Sequence, residues 1–323
     1  MTGPPSFDPA IAAAILAWYD ELGRSLPFRG TPDPYAILVS ETMAQQTQVA
    51  RVGEAWTAFL ARFPDFAALA AATPADVLRA WRGLGYNRRA LNLWRAARVV
   101  VADHGGKLPR DVVALEGLPG IGPYTARAVA AIAFGQPVGA VDTNVRRSLG
   151  RIVAGDANGL APSRLQALAD AAVPRDRPAD WTHALMDLGA TICRPRDPRC
   201  VACPARRWCR YAAVGRTERP SLERPRTGRV RAGPGRPPAP RFPSTTRWLR
   251  GRLLDRLRVT ADGEWVDLDG PIGEHAAPAV RVALATMARE GLVELAAASA
   301  TRARLPWSDS AVTGRVPDGT IDP

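Results

Sequence analysis

All the cysteines of the chain lie within one short segment. Cys193, Cys200, Cys203 and Cys209 follow the spacing C-x6-C-x2-C-x5-C. Thiolates grouped in this way usually surround a metal, because a single loop can wrap them into a tetrahedral cage. The segment is therefore predicted to be a metal site around which this part of the chain folds. Zinc and an iron–sulfur cluster are both compatible with a C-x2-C core.

The charge balance favours a polyanionic partner. The 323 residues carry a formal net charge of +12, and each Lys or Arg near a phosphate releases counterions. A solvated arginine-rich surface that reflects coding bias is the alternative. No segment approaches the roughly 20 apolar residues of a membrane span, and no signal peptide is apparent at the N-terminus. Because grouped thiols without a secretion signal indicate a reducing compartment, we expect a cytoplasmic protein.

The chain from Asp8 to about Ala213 is a succession of alanine-rich helical patterns interrupted by Gly and Pro. Apolar residues recur there at helical spacing, and Pro74 opens one helix at a position where its missing N–H costs nothing. No alternation typical of strands occurs, so the predicted fold class of this part is all-α. The predicted helical segments are 11–22, 74–81, 90–101, 124–134, 145–152 and 164–172.

The amino-acid composition changes in the C-terminal part. Pro, Arg and Gly dominate residues 214–243, which predicts an extended basic linker. Two amphipathic helical patterns at 248–257 and 280–287 then precede two strand patterns at 291–295 and 302–305, and this order predicts a small α/β winged-helix-like module. The predicted organisation is an all-α domain at 1–213 with a metal loop at 193–209, the linker at 214–243, the winged-helix-like domain at 244–306 and a flexible tail at 307–323.

A glycine-containing turn precedes the predicted helix that starts near Tyr124. In Leu118-Pro119-Gly120-Ile121-Gly122 the two glycines permit a tight turn with no Cβ in the way, so successive N–H groups can face an anion. The following helix adds the positive end of its dipole. An isolated G-x-G is more often an ordinary turn. The predicted phosphate-binding residues are Leu118, Gly120, Ile121, Gly122 and Thr125. A backbone site of this kind would hold a nucleic acid without reading its sequence.

Two carboxylates are candidates for acid and electrostatic chemistry. Glu41 lies in Ser40-Glu41-Thr42-Met43, and Asp142 lies in Val141-Asp142-Thr143-Asn144. Cleavage of an N-glycosidic bond needs a proton for the leaving base and a negative charge beside the cationic sugar, and two carboxyls in different environments can supply both. The structural alternative is that Ser40 and Asp142 are helix caps and that Glu41 is a charge in a first turn. For Asp142 both interpretations can hold.

These motifs occur in the order found in one protein family. With Gly83-Leu84-Gly85-Tyr86 and Leu188-Gly189-Ala190 they make residues 10–212 resemble the A/G-specific adenine DNA glycosylases of the endonuclease III-like helix-hairpin-helix superfamily. The resemblance implies a two-lobed helix-hairpin-helix fold and a [4Fe–4S] cluster on the four cysteines. The C-terminal part is too short for the NUDIX-like domain with which longer members recognise 8-oxoguanine.

The resemblance also implies roles for individual residues. Glu41 would protonate the flipped adenine, Asp142 would stabilise the sugar cation, and Asn144 would assist. Tyr124 lines the site and stands where bifunctional relatives carry a Schiff-base lysine, so we expect base removal without efficient strand cleavage. Gln46 would fill the gap in the base stack.

Several positions depart from the family pattern. Phe28 replaces a Trp, and Asn87 replaces a second Tyr that wedges into the duplex. His183 stands where a Gln or Glu reads the adenine edge; it could hydrogen-bond a purine or could be a core histidine bonded to backbone. The predicted base pocket consists of Arg24, Leu26, Phe28 and His183.

The expected function is that of a monofunctional DNA glycosylase. It would bind double-stranded DNA as a monomer, flip an adenine mispaired with G or 8-oxoguanine, and hydrolyse its N-glycosidic bond. One alternative is a glycosylase for another mispaired or deaminated base, such as T, U or hypoxanthine. A second is a noncatalytic iron–sulfur DNA-binding protein.

Overall fold

The computed structural model describes residues 7–214 and 241–307, which form two compact units. The first unit contains residues 7–42 and 108–214, and the second contains residues 43–107 and 241–307. The predicted linker, apart from its two ends, and the predicted tail beyond Trp307 lie outside the described residues. No helix in residues 7–214 or 241–307 is long and apolar enough to cross a bilayer.

Helices dominate the described residues. A π-helical turn (Leu188–Ile192) and short 3-10 turns join some of them. In chain order the α-helices are α1 (Pro9–Leu22), α2 (Pro34–Ala44), α3 (Val49–Arg62), α4 (Phe66–Ala71), α5 (Pro74–Ala80), α6 (Arg88–Asp103), α7 (Val112–Glu116), α8 (Pro123–Phe134), α9 (Thr143–Ala154), α10 (Pro162–Ala171), α11 (Pro178–Asp187), α12 (Arg210–Ala213), α13 (Thr246–Arg258) and α14 (Ala277–Arg289), and the strands are β1 (Val266–Asp267), β2 (Glu294–Leu295) and β3 (Arg302–Arg304).

The helices that the apolar spacing predicts before residue 213 are confirmed, with ends that differ by one to a few residues. Pro74 occupies the first turn of α5, and the Thr73 hydroxyl caps that helix by accepting from the Asp76 N–H at 3.1 Å. The spacing did not predict α2, which carries Glu41. Its sequence is apolar on nearly every face and is largely buried, so no amphipathic stripe marks it.

The first unit has a core formed by α1, α9, α10 and α11. Ile15, Leu149, Trp181 and Leu188 are fully or almost fully buried in it, and each such side chain contributes about 1.5–3 kcal/mol of transfer free energy. Gly189 lets the π-helical turn approach the start of α9, because a Cβ there would lie 2.5 Å from the Cβ of Asn144. The core thus brings α9 and α11 together at the end that carries the candidate site.

The second unit joins α3–α6 to the C-terminal elements. Phe59 and Trp81 meet edge to face at 5.9 Å, and the Trp94 indole donates to the Ala72 carbonyl at 2.9 Å. Helix α13 packs on both α14 and α5. The strands form an antiparallel sheet in the order β1-β3-β2, with Val266 and Leu295 both opposite Ala303.

The helices and strands predicted for the C-terminal module are present. The sequence did not predict β1, because a strand of two residues has no detectable alternation. That these elements act as a winged-helix-like domain stays a prediction.

A buried ion cluster ties the segment after α1 to α11. The Asp187 side chain is fully buried and accepts hydrogen bonds from the Arg24 N–H at 2.8 Å and the Arg24 Nε at 2.8 Å. It also accepts from both terminal nitrogens of Arg29, at 2.8 and 2.7 Å. Burial alone would raise the pKa of Asp187, but the hydrogen bonds from Arg29 and Arg24 outweigh it and hold the pKa below its usual value.

We expect Asp187→Asn to lower the free energy of unfolding by about 3 kcal/mol or more, since it leaves two arginines without their buried counter-charge. The folded-state pKa of Asp187 lies below its unfolded value, so its contribution is present at neutral pH and is lost as the pH falls below about 4. Urea unfolding at pH 7 and at pH 3 measures both effects.

Asp180→Asn is the matched control on the same helix. Asp180 pairs with Arg177 at 2.8 Å, but its side chain is 43% exposed. The expected loss is below about 1 kcal/mol. Equal losses for the two variants would contradict the role given to Asp187.

Candidate active site

Glu41 lies near the C-terminal end of α2 and is only 8% exposed. The interpretation of Glu41 as a first-turn charge and of Ser40 as a cap is therefore wrong. The Ser40 hydroxyl is buried inside the same helix and donates to the Ile37 carbonyl at 2.8 Å. A carboxyl buried in a helix interior gains nothing from capping, so its position needs another explanation.

Tyr124 is the polar partner of Glu41. It lies in the first turn of α8, directly after the glycine turn, and its hydroxyl lies 3.3 Å from Glu41 Oε2 and 3.7 Å from Met186 Sδ. Burial, followed by the charges of Glu41 and Asp142, raises the pKa of Tyr124 well above its usual value. The tyrosine therefore stays protonated and donates to the carboxylate form of Glu41.

The electrostatics of Glu41 suit a proton donor. Burial raises the pKa of its carboxyl to about 7, the Tyr124 hydrogen bond and the Arg29 charge lower it, and the Asp142 charge raises it. Asp142 therefore lies near enough to Glu41 for its charge to act on the Glu41 carboxyl. Near neutral pH a substantial fraction of Glu41 carries a proton.

Asp142 caps α9, as one of the sequence interpretations held. Its Oδ1 accepts from the Val145 N–H at 2.7 Å, and its Oδ2 accepts from Asn144 Nδ2 at 2.8 Å. Asn144 Oδ1 in turn accepts from Arg147 Nη2 at 2.8 Å, and Arg147 also donates to the carbonyls of Gly189 and Cys193 at 2.8 and 2.7 Å. The Asp142 carboxyl is thus fixed at a helix N-terminus by a network that reaches the first cysteine.

The predicted base-pocket residues Arg24, Leu26 and Phe28 lie in the segment that Asp187 anchors, and they are partly buried. His183 lies one turn before Asp187 on α11. Burial, with the nearby Arg29 charge, lowers the pKa of His183 to about 4. Its imidazole is therefore neutral at pH 7, with one nitrogen that donates and one that accepts.

The glycine turn has the geometry predicted for it. Leu118 and Ile121 are buried, and the Ile121 N–H donates back to the Leu118 carbonyl at 3.1 Å. Gly120 has a φ of +77°, which explains glycine there. Gly122 is exposed and precedes α8, and Thr125 is buried in the first turn of that helix. Short helices on both sides, α7 and α8, complete a helix-hairpin-helix.

Gln46 belongs to the second unit. It is exposed in the loop after α2 and has a φ of +54°, a left-handed conformation that non-glycine residues seldom adopt. The Arg89 guanidinium binds this loop, since it donates to the carbonyls of Met43 and Gln45 at 3.0 and 2.6 Å and to the Thr47 hydroxyl at 3.0 Å. The hydrogen bonds from Arg89 therefore fix the backbone of the loop that carries the exposed Gln46 side chain.

The four cysteines line one cavity in the first unit, with Leu188 and Ile192 in its apolar wall. Burial, together with the neighbouring cysteines, raises the pKa of Cys203 to about 12. Arg151 is buried beside them, and its Nη1 lies 3.4 Å from Cys193 Sγ. Four soft ligands in one apolar cavity, with a cation to offset thiolate charge, fit a metal–sulfur group.

Four residues of this site escaped the sequence analysis: Arg29, Arg147, Met186 and Asp187. Each acts through a partner that is distant in sequence, such as Asp187 for Arg29 or Cys193 for Arg147. Only Arg147 had a local signal, because it stands one helical turn after Thr143 and so on the side of α9 that carries Asn144.

A family model described as HhH-GPD superfamily base excision DNA repair protein matches residues 39–174. The structure is also similar to that of a thermostable thymine-DNA glycosylase, with a TM-score of 0.60 and 33% identity over 63% of this chain and 95% of that one. The matched residues include Glu41, the helix-hairpin-helix and Asp142.

The chain is also similar to proteins named adenine DNA glycosylase. The Mycobacterium tuberculosis protein is 46% identical over 249 residues, which are 76% of this chain and 77% of the relative. The human protein is 42% identical over 62% of this chain and 39% of its own length. These matches confirm the resemblance drawn from the motifs. The chain therefore belongs to the adenine DNA glycosylase family, within the HhH-GPD superfamily of base excision DNA repair proteins.

Proposed function

We propose that this protein removes adenine mispaired with G or 8-oxoguanine from duplex DNA by hydrolysis of the N-glycosidic bond. The observation that carries the proposal is the buried Glu41, with a pKa of about 7, beside Tyr124 and within the field of Asp142. Relatives named adenine DNA glycosylase at up to 46% identity support the choice of base.

Glu41 acts as the general acid. As the bond between the sugar carbon and the base nitrogen breaks, its electron pair goes to the base, and the Glu41 proton neutralises the charge that develops there. A carboxyl with a pKa near 7 combines a usable acid strength with a large protonated fraction at neutral pH.

Asp142 stabilises the sugar cation that remains. Its two oxygens are fixed by the Val145 N–H and by Asn144, so the carboxylate is preorganised and does not have to reorient during the reaction. Water then adds to the sugar carbon, and a carboxylate takes up the proton that this water releases. No lysine is found at position 124, where the sequence has a tyrosine, so no Schiff base forms there.

His183 reads the base. Its neutral imidazole has one nitrogen that donates and one that accepts, and either can bind one polar group on an adenine edge. Arg24, Leu26 and Phe28 form the wall of the pocket. The helix-hairpin-helix and the exposed arginines of the cysteine loop, Arg196, Arg199, Arg206, Arg207 and Arg210, hold the phosphates.

Cys193, Cys200, Cys203 and Cys209 would hold a [4Fe–4S] cluster. When bound, the cluster would fix the basic loop 193–209 and supply the positive charge that keeps the buried thiols ionised. Arg147 and Arg151 link that loop to α9, so the bound group would also support the position of Asn144.

A glycosylase for another mispaired or deaminated base is the second candidate. The structural similarity to a thymine-DNA glycosylase at 33% identity favours it, as does the replacement of the family's purine-reading residue by His183. Both candidates use the same two carboxylates and differ in the base that enters the pocket.

The test is excision from a panel of duplexes that carry A:8-oxoG, A:G, G:T, G:U or hypoxanthine:T. We expect product from the two adenine mispairs only, and strand breaks only after alkali treatment, because the protein lacks the lysine nucleophile. Glu41→Gln should lower the single-turnover rate at least about 100-fold, since one general acid typically contributes 10²–10⁴.

Glu21→Gln, an exposed glutamate on α1, is the control and should keep the full rate. Excision of T, U or hypoxanthine in preference to adenine would favour the second candidate. Full activity of Glu41→Gln would refute both.

Tyr124→Phe tests the pKa of the acid. The Tyr124 hydrogen bond lowers the pKa of Glu41, so its loss should raise that pKa further above 7. The rate of the unmodified protein should fall as the pH rises through about 7, where Glu41 loses its proton, and the variant should hold its rate to a higher pH. Single-turnover rates from pH 5 to 9 measure the shift, and a midpoint that stays fixed or moves to lower pH would contradict the assignment of Glu41 as the acid.

The cysteine site gives a prediction that does not depend on activity. The purified protein should absorb near ~400 nm and contain about four irons per chain. Cys200→Ser should remove the colour and the iron together. A colourless protein with one zinc per chain would overturn the cluster assignment, whatever its glycosylase activity.

A further inference from the structure

Within the second unit, Arg79 of α5 and Arg258 of α13 join the C-terminal module to α5. Arg79 of α5 donates to the carbonyls of Arg258 and Thr260 at 3.3 and 3.1 Å and pairs with Asp262. Arg258 of α13 donates back to the Leu78 carbonyl at 3.0 Å, and its side chain is only 6% exposed. Multiple charge-assisted hydrogen bonds of this kind fix the orientation of α13 against α5.

The same contact accounts for one departure from the family pattern. Asn87 Oδ1 accepts from Arg258 Nη2 at 2.7 Å, so this side chain is turned towards the module. The preceding residue, Tyr86, is 44% exposed and has a φ of +43°. A bulky residue persists in a left-handed conformation only where its surroundings enforce it, and such residues concentrate at functional sites.

Two arginines lie over the ring of Tyr86. The Arg89 guanidinium is 5.7 Å from the ring centroid and is already bound to the loop carbonyls. The Arg247 guanidinium, from the first turn of α13, is 4.7 Å from the same centroid, and its Nη2 lies 4.0 Å from the position a Cβ on Gly85 would take. Arg247 is exposed, and no carboxylate among residues 7–214 and 241–307 pairs with it.

The surface around Tyr86 is otherwise basic. Arg82 and Arg88 are exposed on the same turn, and the charge of Arg82 contributes to lowering the pKa of Arg258. An exposed aromatic ring offers a face on which a base can stack, and the arginines around it offer donors for the flanking phosphates.

We propose that Arg247 is a DNA-contacting residue that the C-terminal module contributes to the surface around Tyr86. It binds a phosphate of the duplex while its guanidinium holds the Tyr86 ring in place for a base. The proposal rests on the proposed function only in that duplex DNA is the ligand. It gives the C-terminal module a role in this chain.

The experiment measures binding of a duplex with one A:G mispair by fluorescence anisotropy, with full-length protein that carries Glu41→Gln to prevent turnover. Arg247→Ala should weaken binding about fivefold or more at 100 mM salt. It should also reduce the slope of log K against log salt by about one, the value for one lost phosphate contact. In a Tyr86→Ala background the effect of Arg247→Ala should be clearly smaller, because the two side chains act together.

Arg256→Ala is the matched control, since Arg256 is an exposed arginine on the same helix. It should change binding less than about twofold, and thermal melting should show both variants folded. Equal losses for Arg247→Ala and Arg256→Ala would indicate a general charge effect and overturn the proposal, as would unchanged binding by Arg247→Ala.

The outcome is separable from that of the excision panel. A protein that excises no adenine yet loses a phosphate contact with Arg247→Ala would refute the proposed function and leave this inference standing. A protein that excises adenine and binds the duplex with unchanged affinity after Arg247→Ala would support the proposed function and overturn this inference.

Discussion

The candidate active site depends on the ion pairs that the buried Asp187 carboxylate makes with Arg24 and Arg29. An isolated charge in the interior would be too costly to keep, so the chain surrounds it with Arg24 and Arg29. That requirement fixes the segment after α1 against α11. It also places the Arg29 charge where it tempers the pKa of Glu41 and helps to keep His183 neutral. One ion cluster therefore fixes the segment that carries the candidate pocket residues and adjusts two pKa values that burial mainly sets.

The raised pKa of the buried Glu41 lowers the stability of the folded state above neutral pH. An unfolded glutamate ionises near pH 4.5, whereas the folded one ionises near 7, so the folded state becomes less favourable as the pH rises between these values. At about 1.4 kcal/mol for each pH unit, the full cost above pH 7 is about 3 kcal/mol. The apolar packing around α2, which includes Leu38, Val39 and Met43, offsets it. In the proposed mechanism this cost accompanies a general acid that works at neutral pH.

The sequence alone was sufficient for features that depend on neighbouring residues. The cap at Asp142, the glycine turn before α8 and six of the twelve described α-helices up to residue 213 followed from local spacing, and the order of motifs identified the family. Features that depend on distant partners were out of reach. Nothing near Asn87 indicated Arg258 as its partner, and nothing near Arg29 indicated Asp187. Helix α2 was missed for a different reason, since its burial on nearly all faces removes the periodicity that marks a surface helix.

The reciprocal arginines of α5 and α13 make the C-terminal module part of the folding unit that contains residues 43–107. A chain that ended at residue 213 would keep every proposed catalytic group. It would also leave Arg79 without its acceptors, Asn87 without its donor and the Ala75 N–H without the Pro306 carbonyl. Exchange of this module for another domain would therefore require matching changes in α5 and at Asn87.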